Sequence, residues 1–141
     1  MNYLLIYLSA LLITFSIIGH GFILSKIVNK ELLKFNIGYI GLLGLLSLVI
    51  ISYITIFFIK HDYLHNLILH FIGLVSFFFF IKERENNNEI LKLLIIFSIL
   101  FCGLLIIRNH DDFNYYHLTY SLGLTENKLF LGLGHFSHGY K

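Results

Sequence analysis

The chain is poor in the residues that keep a protein in water. Only 13% of its 141 residues are Asp, Glu, Lys or Arg, whereas 57% are hydrophobic. A typical soluble domain carries about 25% charged residues, so this shortage excludes an ordinary water-soluble domain. Proline and tryptophan are absent, which we attribute to an AT-rich coding sequence rather than to a mechanism.

Cysteine and excess charge are also scarce. The single cysteine, Cys102, excludes an intrachain disulfide, and within an apolar run it serves as a small apolar side chain. The formal net charge is only +2, and the basic residues are spread along the connecting segments. This pattern lacks the clustered basic footprint of a nucleic-acid-binding protein, so we expect no nucleic acid among its partners.

Four apolar runs of eighteen or more residues account for most of the chain: residues 3–24, 37–59, 63–81 and 90–107. The first three contain no Asp, Glu, Lys or Arg, and the fourth has only Lys92, near its start. Because a charge in the middle of a membrane helix costs roughly 2.5 to 3.5 kcal/mol, such runs are typical of transmembrane helices. With short connectors, they predict an all-α membrane protein of four antiparallel transmembrane helices over residues 1–107, embedded in the lipid bilayer.

The basic residues predict the orientation of these spans. Six lie in the connectors after the first and third runs and their flanks: Lys26, Lys30, Lys34, Lys82, Arg84 and Lys92. Four lie on the opposite side: Lys60, Arg108, Lys128 and Lys141. Cytoplasmic loops carry the excess of Lys and Arg, so we expect both termini outside the cytoplasm. Residues 108–141 then form a partly helical extracytoplasmic tail.

Histidines within or beside the runs invite a metal or haem interpretation. Taking the middle of each run as the membrane midplane separates His20 and His70 by about 13 Å in depth at about 1.5 Å per residue, which argues against a shared haem. His61 and His65 offer half of a zinc site, but the sequence shows no third or fourth ligand nearby. We therefore predict no metal site from these residues and interpret the pair as interfacial polar side chains.

The tail is the chemically suggestive segment. Asp111 and Asp112 follow the fourth run closely, at the depth where membrane substrates present their head groups. An acidic pair in this position can accept a proton or hold a divalent cation against a phosphate. Alternatively, either aspartate could cap a short helix over residues 113–122, and on the residues alone this capping interpretation is favoured.

The tail also resembles the motif region of a family of large, mostly uncharacterised bacterial polytopic membrane proteins. In that family an acidic pair and a Tyr-His-Leu element precede a Gly-Leu-Gly element and further membrane spans. The matching residues here are Asp111, Asp112, Tyr116, His117, Leu118, Gly132, Leu133 and Gly134. The family is similar in layout to membrane glycosyltransferases of the C-type fold, in which an acidic residue in an early extracytoplasmic loop serves lipid-phosphate-sugar chemistry. The resemblance implies that this chain is the N-terminal part of a larger protein in the bacterial inner membrane.

The resemblance further implies roles for individual side chains. Asp111 or Asp112 would be the base or a ligand of a divalent cation, and Tyr116 and His117 would contact the phosphate of a polyprenyl-phosphate sugar donor or orient the acid. Arg108 would neutralise phosphate charge at the interface, although a basic residue at the end of a span is more commonly a snorkelling anchor.

A non-enzymatic membrane subunit of a larger complex is the alternative. Small residues recur every three positions in the second run, at Gly38, Gly41, Gly44 and Ser47. Such a stripe allows the close approach of another helix, from this chain or from a partner. A self-contained transporter is less supported, because transporters usually place charged residues deep within the membrane and these runs hold only histidines there.

Overall fold

The computed structural model describes residues 2–84, 88–106 and 117–129. This part of the chain is mostly helical and contains no strand, which confirms the all-α prediction for the described residues. The helices are α1 (Tyr3–Val28), α2 (Ile37–Thr55), α3 (Tyr63–Glu83), α4 (Asn88–Leu104) and α5 (His117–Glu126), with a short 3-10 turn at Lys30–Lys34.

Three helices are long and apolar enough to cross a membrane: α1, α2 and α3. The fourth predicted span is described as a helix of 17 residues that ends at Leu104, and residue 107 lies outside the described residues. At about 1.5 Å per residue α4 is about 25 Å long, whereas the hydrocarbon core is about 30 Å thick. Three membrane-length helices are therefore found, and the fourth span stays a prediction.

Polar side chains set several of the helix ends. Asn29 ends α1, where its backbone N–H donates to Ser25 O, and its side chain accepts from Glu31 N to begin the 3-10 turn. Helix α2 ends at Thr55, four residues before the predicted limit of 59, and in the turn that follows both Phe58 N and Ile59 N donate to Thr55 O. The backbone therefore turns while the sequence is still apolar.

The chain forms two units, residues 1–49 with 68–107 and residues 50–67 with 108–141. In the first unit, glycines bring α1 into backbone contact with two neighbouring helices. A Cβ on Gly19 would overlap Gly73 O of α3, and a Cβ on Gly21 would overlap Ile40 O of α2. A Cβ on Gly44 would in turn overlap Ile17 O. Because Gly19 and Gly21 are two residues apart, they face nearly opposite sides of α1, which lies between α2 and α3.

The apolar core of this unit grows around these contacts. Its buried members are Ile18, Phe22, Ile37, Ile40, Phe77 and Phe80. Phe15 stacks on Phe77 with ring centroids 4.5 Å apart, and Phe22 meets Phe80 edge to face at 5.7 Å. Offset and edge-to-face ring pairs add to the burial of apolar surface, so these rings reinforce the α1–α3 contact.

Polar residues gather at the end of the first unit where α1 and α3 end and α2 and α4 begin. Lys26 pairs with Glu83, and Arg84 Nη1 lies 2.6 Å from Glu89 Oε2. The same Glu89 oxygen accepts from Ile37 N at 3.1 Å. Two of the six basic residues predicted to share one side of the membrane thus lie at one end of the helices.

The glycine contacts predict a sharp difference between two like substitutions. We expect Gly21→Ala to lower the free energy of unfolding by about 1 to 3 kcal/mol or more, because its methyl group overlaps a backbone oxygen that cannot move alone. Gly103→Ala on α4 is the matched control, since a Cβ there meets nothing within 4 Å. Unfolding in mixed detergent micelles, followed by circular dichroism, measures both, and equal effects would contradict the close contact.

Candidate functional site

Most of the residues predicted for phosphate and sugar chemistry lie outside the described residues. This holds for Arg108, Asp111, Asp112 and Tyr116, and with them for the divalent cation expected at the acidic pair. His117 is described, and it is exposed as the first residue of α5. The predicted tail helix over residues 113–122 is described only from 117 onward, and it continues to Glu126.

In the second unit, α5 is joined to the connection between α2 and α3 through the backbone. His61 N donates to Leu124 O at 2.9 Å, and Leu129 N donates to Ile56 O at 2.9 Å. The two bonds hold the end of α5 and the residues after it against both ends of the connection. Sequence patterns could not have predicted this contact, because backbone atoms of any residue can form it.

A pair of stacked imidazoles lies in this connection. The rings of His61 and His65 are 4.3 Å apart between centroids and inclined by only 4°. Both Nε2 atoms lie within hydrogen-bond distance of Thr55 Oγ1, at 3.0 Å for His61 and 3.1 Å for His65. His61 precedes the first turn of α3, so the two rings meet although they do not share one helix.

Asn66 and Asp62 complete the surroundings of the pair. Asn66 Oδ1 lies 3.3 Å from His65 Nδ1, and Asn66 Nδ2 donates to His61 O at 3.1 Å. Asp62 Oδ1 caps α3 by accepting from His65 N at 3.1 Å, and its other oxygen lies 3.5 Å from Lys60 Nζ. The sequence shows the spacing of the two histidines, but it did not lead us to predict the hydrogen bonds of Thr55 and Asn66. The one signal in the sequence for Thr55 is a hydroxyl in an apolar run, six residues before His61.

Two pKa values in this connection are lowered, which favours the neutral form of His61 and the charged form of Asp62. Partial burial lowers the pKa of His61, and the charge of a protonated His65 would lower it further, against a hydrogen bond to the Ser52 carbonyl that raises it. The backbone N–H of His65 holds the pKa of Asp62 below its ordinary value, with help from Lys60. At neutral pH the connection therefore holds a carboxylate beside neutral His61.

This pair supplies only two ligands to a metal. Among the described residues, no three His, Cys, Asp or Glu side chains gather in one place. Both Nε2 atoms face the hydroxyl oxygen of Thr55, which occupies the position between them.

The first unit contains a second polar cluster, between α1 and α3. His20 Nε2 lies 3.0 Å from Leu69 O, and His70 Nδ1 lies 3.1 Å from Ser16 Oγ. His20 is 2% exposed and Ser16 is fully buried. Since a carbonyl oxygen only accepts, His20 carries its proton on Nε2.

This cluster shows that the depth separation predicted for His20 and His70 is wrong. Each bonds to a neighbour of the other in the partner helix, so the two side chains lie at similar levels. The estimate assumed that helices align by the centres of their apolar runs, whereas the contact of Gly19 with Gly73 sets the register. The same contact brings the two backbones together and leaves no room for a haem between α1 and α3 at this level.

Comparison with protein-family models, with curated proteins and with solved structures found no match. The roles of Arg108, Asp111, Asp112, Tyr116 and His117 are therefore proposed below from their chemistry and from the motif they form.

The buried serine gives a direct test of the α1–α3 hydrogen bonds. We expect Ser16→Ala to lower the free energy of unfolding by about 0.6 kcal/mol and by no more than about 1.7 kcal/mol, the range for hydrogen bonds between membrane helices. Ser76→Ala is the control, because that exposed hydroxyl bonds only to Ile72 O in its own helix. Unfolding in mixed micelles compares the two variants, and an indistinguishable pair would contradict a contribution from the Ser16–His70 bond.

Proposed function

We propose that this chain is the membrane-embedded part of a glycosyltransferase-like protein that uses a lipid-linked sugar donor at the outer face of the bacterial inner membrane. The observation that carries the membrane assignment is the set of three apolar helices of 26, 19 and 21 residues, with mean hydropathies of 1.9, 2.2 and 2.0. The motif of the tail supports the chemistry.

Contacts with α1 support α4 as a fourth span. Tyr7 Oη lies 2.8 Å from Ser98 Oγ, and the Tyr7 ring meets the rings of Phe97 and Phe101 edge to face. The first turns of α1 thus contact the last turns of α4, as in an antiparallel pair. Lys92, near the start of α4, can snorkel to the interface as it would in a membrane span.

The chemistry we propose for the tail is the transfer of a glycosyl group. Asp111 or Asp112, as base, takes the proton of an acceptor hydroxyl, whose oxygen then bonds to the anomeric carbon of the sugar. The bond from that carbon to the phosphate oxygen breaks, and the polyprenyl phosphate leaves with the electron pair. Arg108 neutralises the charge that grows on this phosphate, while Tyr116 and His117 hold the phosphate or orient the acid.

The acidic pair provides the test of this chemistry. We expect Asp111→Asn or Asp112→Asn, in the full protein in its own membranes, to reduce sugar transfer from a polyprenyl-phosphate donor at least about a hundredfold, the usual contribution of a positioned base. Glu126→Gln is the control, since it neutralises an exposed acid of the same tail. Unchanged transfer in both aspartate variants would exclude them from the chemistry.

The orientation is tested separately by cysteine labelling. In a Cys102→Ser background, we expect Lys128→Cys to react with a membrane-impermeant maleimide in intact cells, because the tail is proposed to lie outside the cytoplasm. Lys30→Cys should react only after the membrane is permeabilised. Both residues are exposed in the structure, so access through the membrane decides the result. The reverse pattern would place the tail in the cytoplasm and remove it from an outer-face reaction.

A non-enzymatic subunit of a larger complex remains the second candidate. The stripe of small residues on α2 does not supply its partner surface, because Gly44 and Gly41 already contact α1 of the same chain, Gly41 at Ile18. An apolar groove on α4, lined by Ile99, Leu100, Gly103 and Leu104, is open and offers a partner helix a close approach at Gly103. Normal sugar transfer by both aspartate variants would favour this candidate.

A further inference from the structure

The stacked pair of His61 and His65 belongs to a closed ring of hydrogen bonds. The ring passes from His61 to Thr55, from Thr55 to His65, from His65 to Asn66, and from Asn66 back to the backbone oxygen of His61. His65 is only 9% exposed. A fully satisfied polar network of this kind holds its members in one arrangement.

The number of protons that fits the ring follows from its partners. Asn66 Nδ2 donates to His61 O, so the oxygen of that amide faces His65 and accepts from His65 Nδ1–H. His65 Nε2 then carries no proton and accepts from the hydroxyl of Thr55. Thr55 Oγ1 accepts in turn from His61 Nε2–H. The hydrogen positions are assigned from this network, and they use two neutral imidazoles.

Added protons place positive charge on two stacked rings. On His65 a proton would sit on Nε2, and the Thr55 hydroxyl would turn from it toward Ser52 O, which lies 3.4 Å from Thr55 Oγ1. On His61 it would place a cation beside the ring of His65, with the two ring centroids 4.3 Å apart, in a partly desolvated position. The two stacked rings repel each other when both are charged, which favours their separation.

The ring is attached to α5 through the backbone of the same residues. His61, a member of the ring, donates its N–H to Leu124 O of α5, and Ile56, next to Thr55, accepts from Leu129 N. The described part of α5 is mostly exposed, so few side-chain contacts hold it in place. Its attachment therefore depends on the conformation of the connection.

Among the described residues of this unit, no other charged or titratable group is paired with either imidazole. The described ones are Tyr53, Lys60, Asp62 and Tyr63 beside the ring and His117, Tyr120, Glu126 and Lys128 on α5 and the residues after it. Asp62 is engaged by His65 N and Lys60. Among these described residues, no carboxylate pairs with either imidazole.

We propose that the ring of His61, Thr55, His65 and Asn66 is an acid-sensitive latch, which holds α5 against the α2–α3 connection at neutral pH and releases it when positive charge on the stacked imidazoles drives them apart. The latch does not require sugar transfer. It would report the pH of whichever side of the membrane carries the tail.

The direction of the pH effect follows from His61. Its pKa is lower in the folded unit than in the unfolded chain. The neutral ring is therefore fully stabilising above about pH 6.5 and loses stability as the pH falls from there toward the folded-state pKa.

Hydrogen exchange of the complete chain in lipid nanodiscs tests the latch. We expect the protection factors of the His61 and Leu129 amides to fall about tenfold or more between pH 7.5 and 5.0, in the direction set by the lowered pKa of His61. Thr55→Val keeps both histidines but opens the ring, so it should show low protection at both pH values. Thr14→Val is its control, because that hydroxyl bonds only within α1, to Ala10 O. Protection factors correct for the intrinsic pH dependence of exchange.

Histidine variants decide between the latch and other acid effects. The double variant His61→Gln, His65→Gln should lose the pH response, whereas His117→Gln, which removes an exposed imidazole of the same unit, should keep it. If glutamine prevents folding, imidazole NMR of the unmodified chain gives the second measurement. Its titration midpoint for His61 should coincide with that of the exchange. Constant protection in the unmodified chain, a response that persists without both histidines, or a mismatch of midpoints would each overturn the proposal.

Discussion

The contact between the backbones of α1 and its two neighbours is the constraint on which the first unit depends. In lipid no hydrophobic force drives helices together, so association relies on close packing and on hydrogen bonds between helices. Gly19 and Gly21 provide the close packing on two faces of one helix. Once the backbones touch, Ser16 reaches His70 and His20 reaches Leu69, and the phenylalanine rings fill the space on either side. A side chain at Gly19 would push α1 away from α3, where these hydrogen bonds form.

The two polar clusters use histidine in different ways. Between α1 and α3, each imidazole bonds to the opposite helix and fixes the register of a membrane-buried contact. In the α2–α3 connection, the imidazoles bond to the end of α2 and to the first turn of α3. This second pair lies where water can deliver a proton and where one backbone bond of His61 also holds α5. The position of a histidine in the fold therefore decides whether it holds two helices together, as His20 and His70 do, or responds to pH, as we propose for His61 and His65.

The sequence predicts the helices better than their ends or their partners. Uninterrupted apolar runs identify α1 to α3, because a charge-free run of this length has few other uses. The end of α2 was predicted four residues too late, because Phe57 to Ile59 are as apolar as the helix that precedes them. The register of His20 against His70 was wrong because periodicity and length do not show which glycine meets which. The spacing of His61 and His65 was visible, but Thr55 became part of their site only through the fold. The chemistry of Asp111 and Asp112 stays a prediction, because these residues lie outside the described part of the chain.

The central position of α1 also has a consequence for biosynthesis. This helix leaves the ribosome before α2, α3 and α4, and it contacts each of them. Helices α2 and α3 therefore enter a bilayer that already contains their common neighbour, and α2 can pair with α1 while the rest of the chain is still being made. A segment that carries glycines on opposite faces acts as an assembly template, so the order of translation matches the order in which the contacts can form.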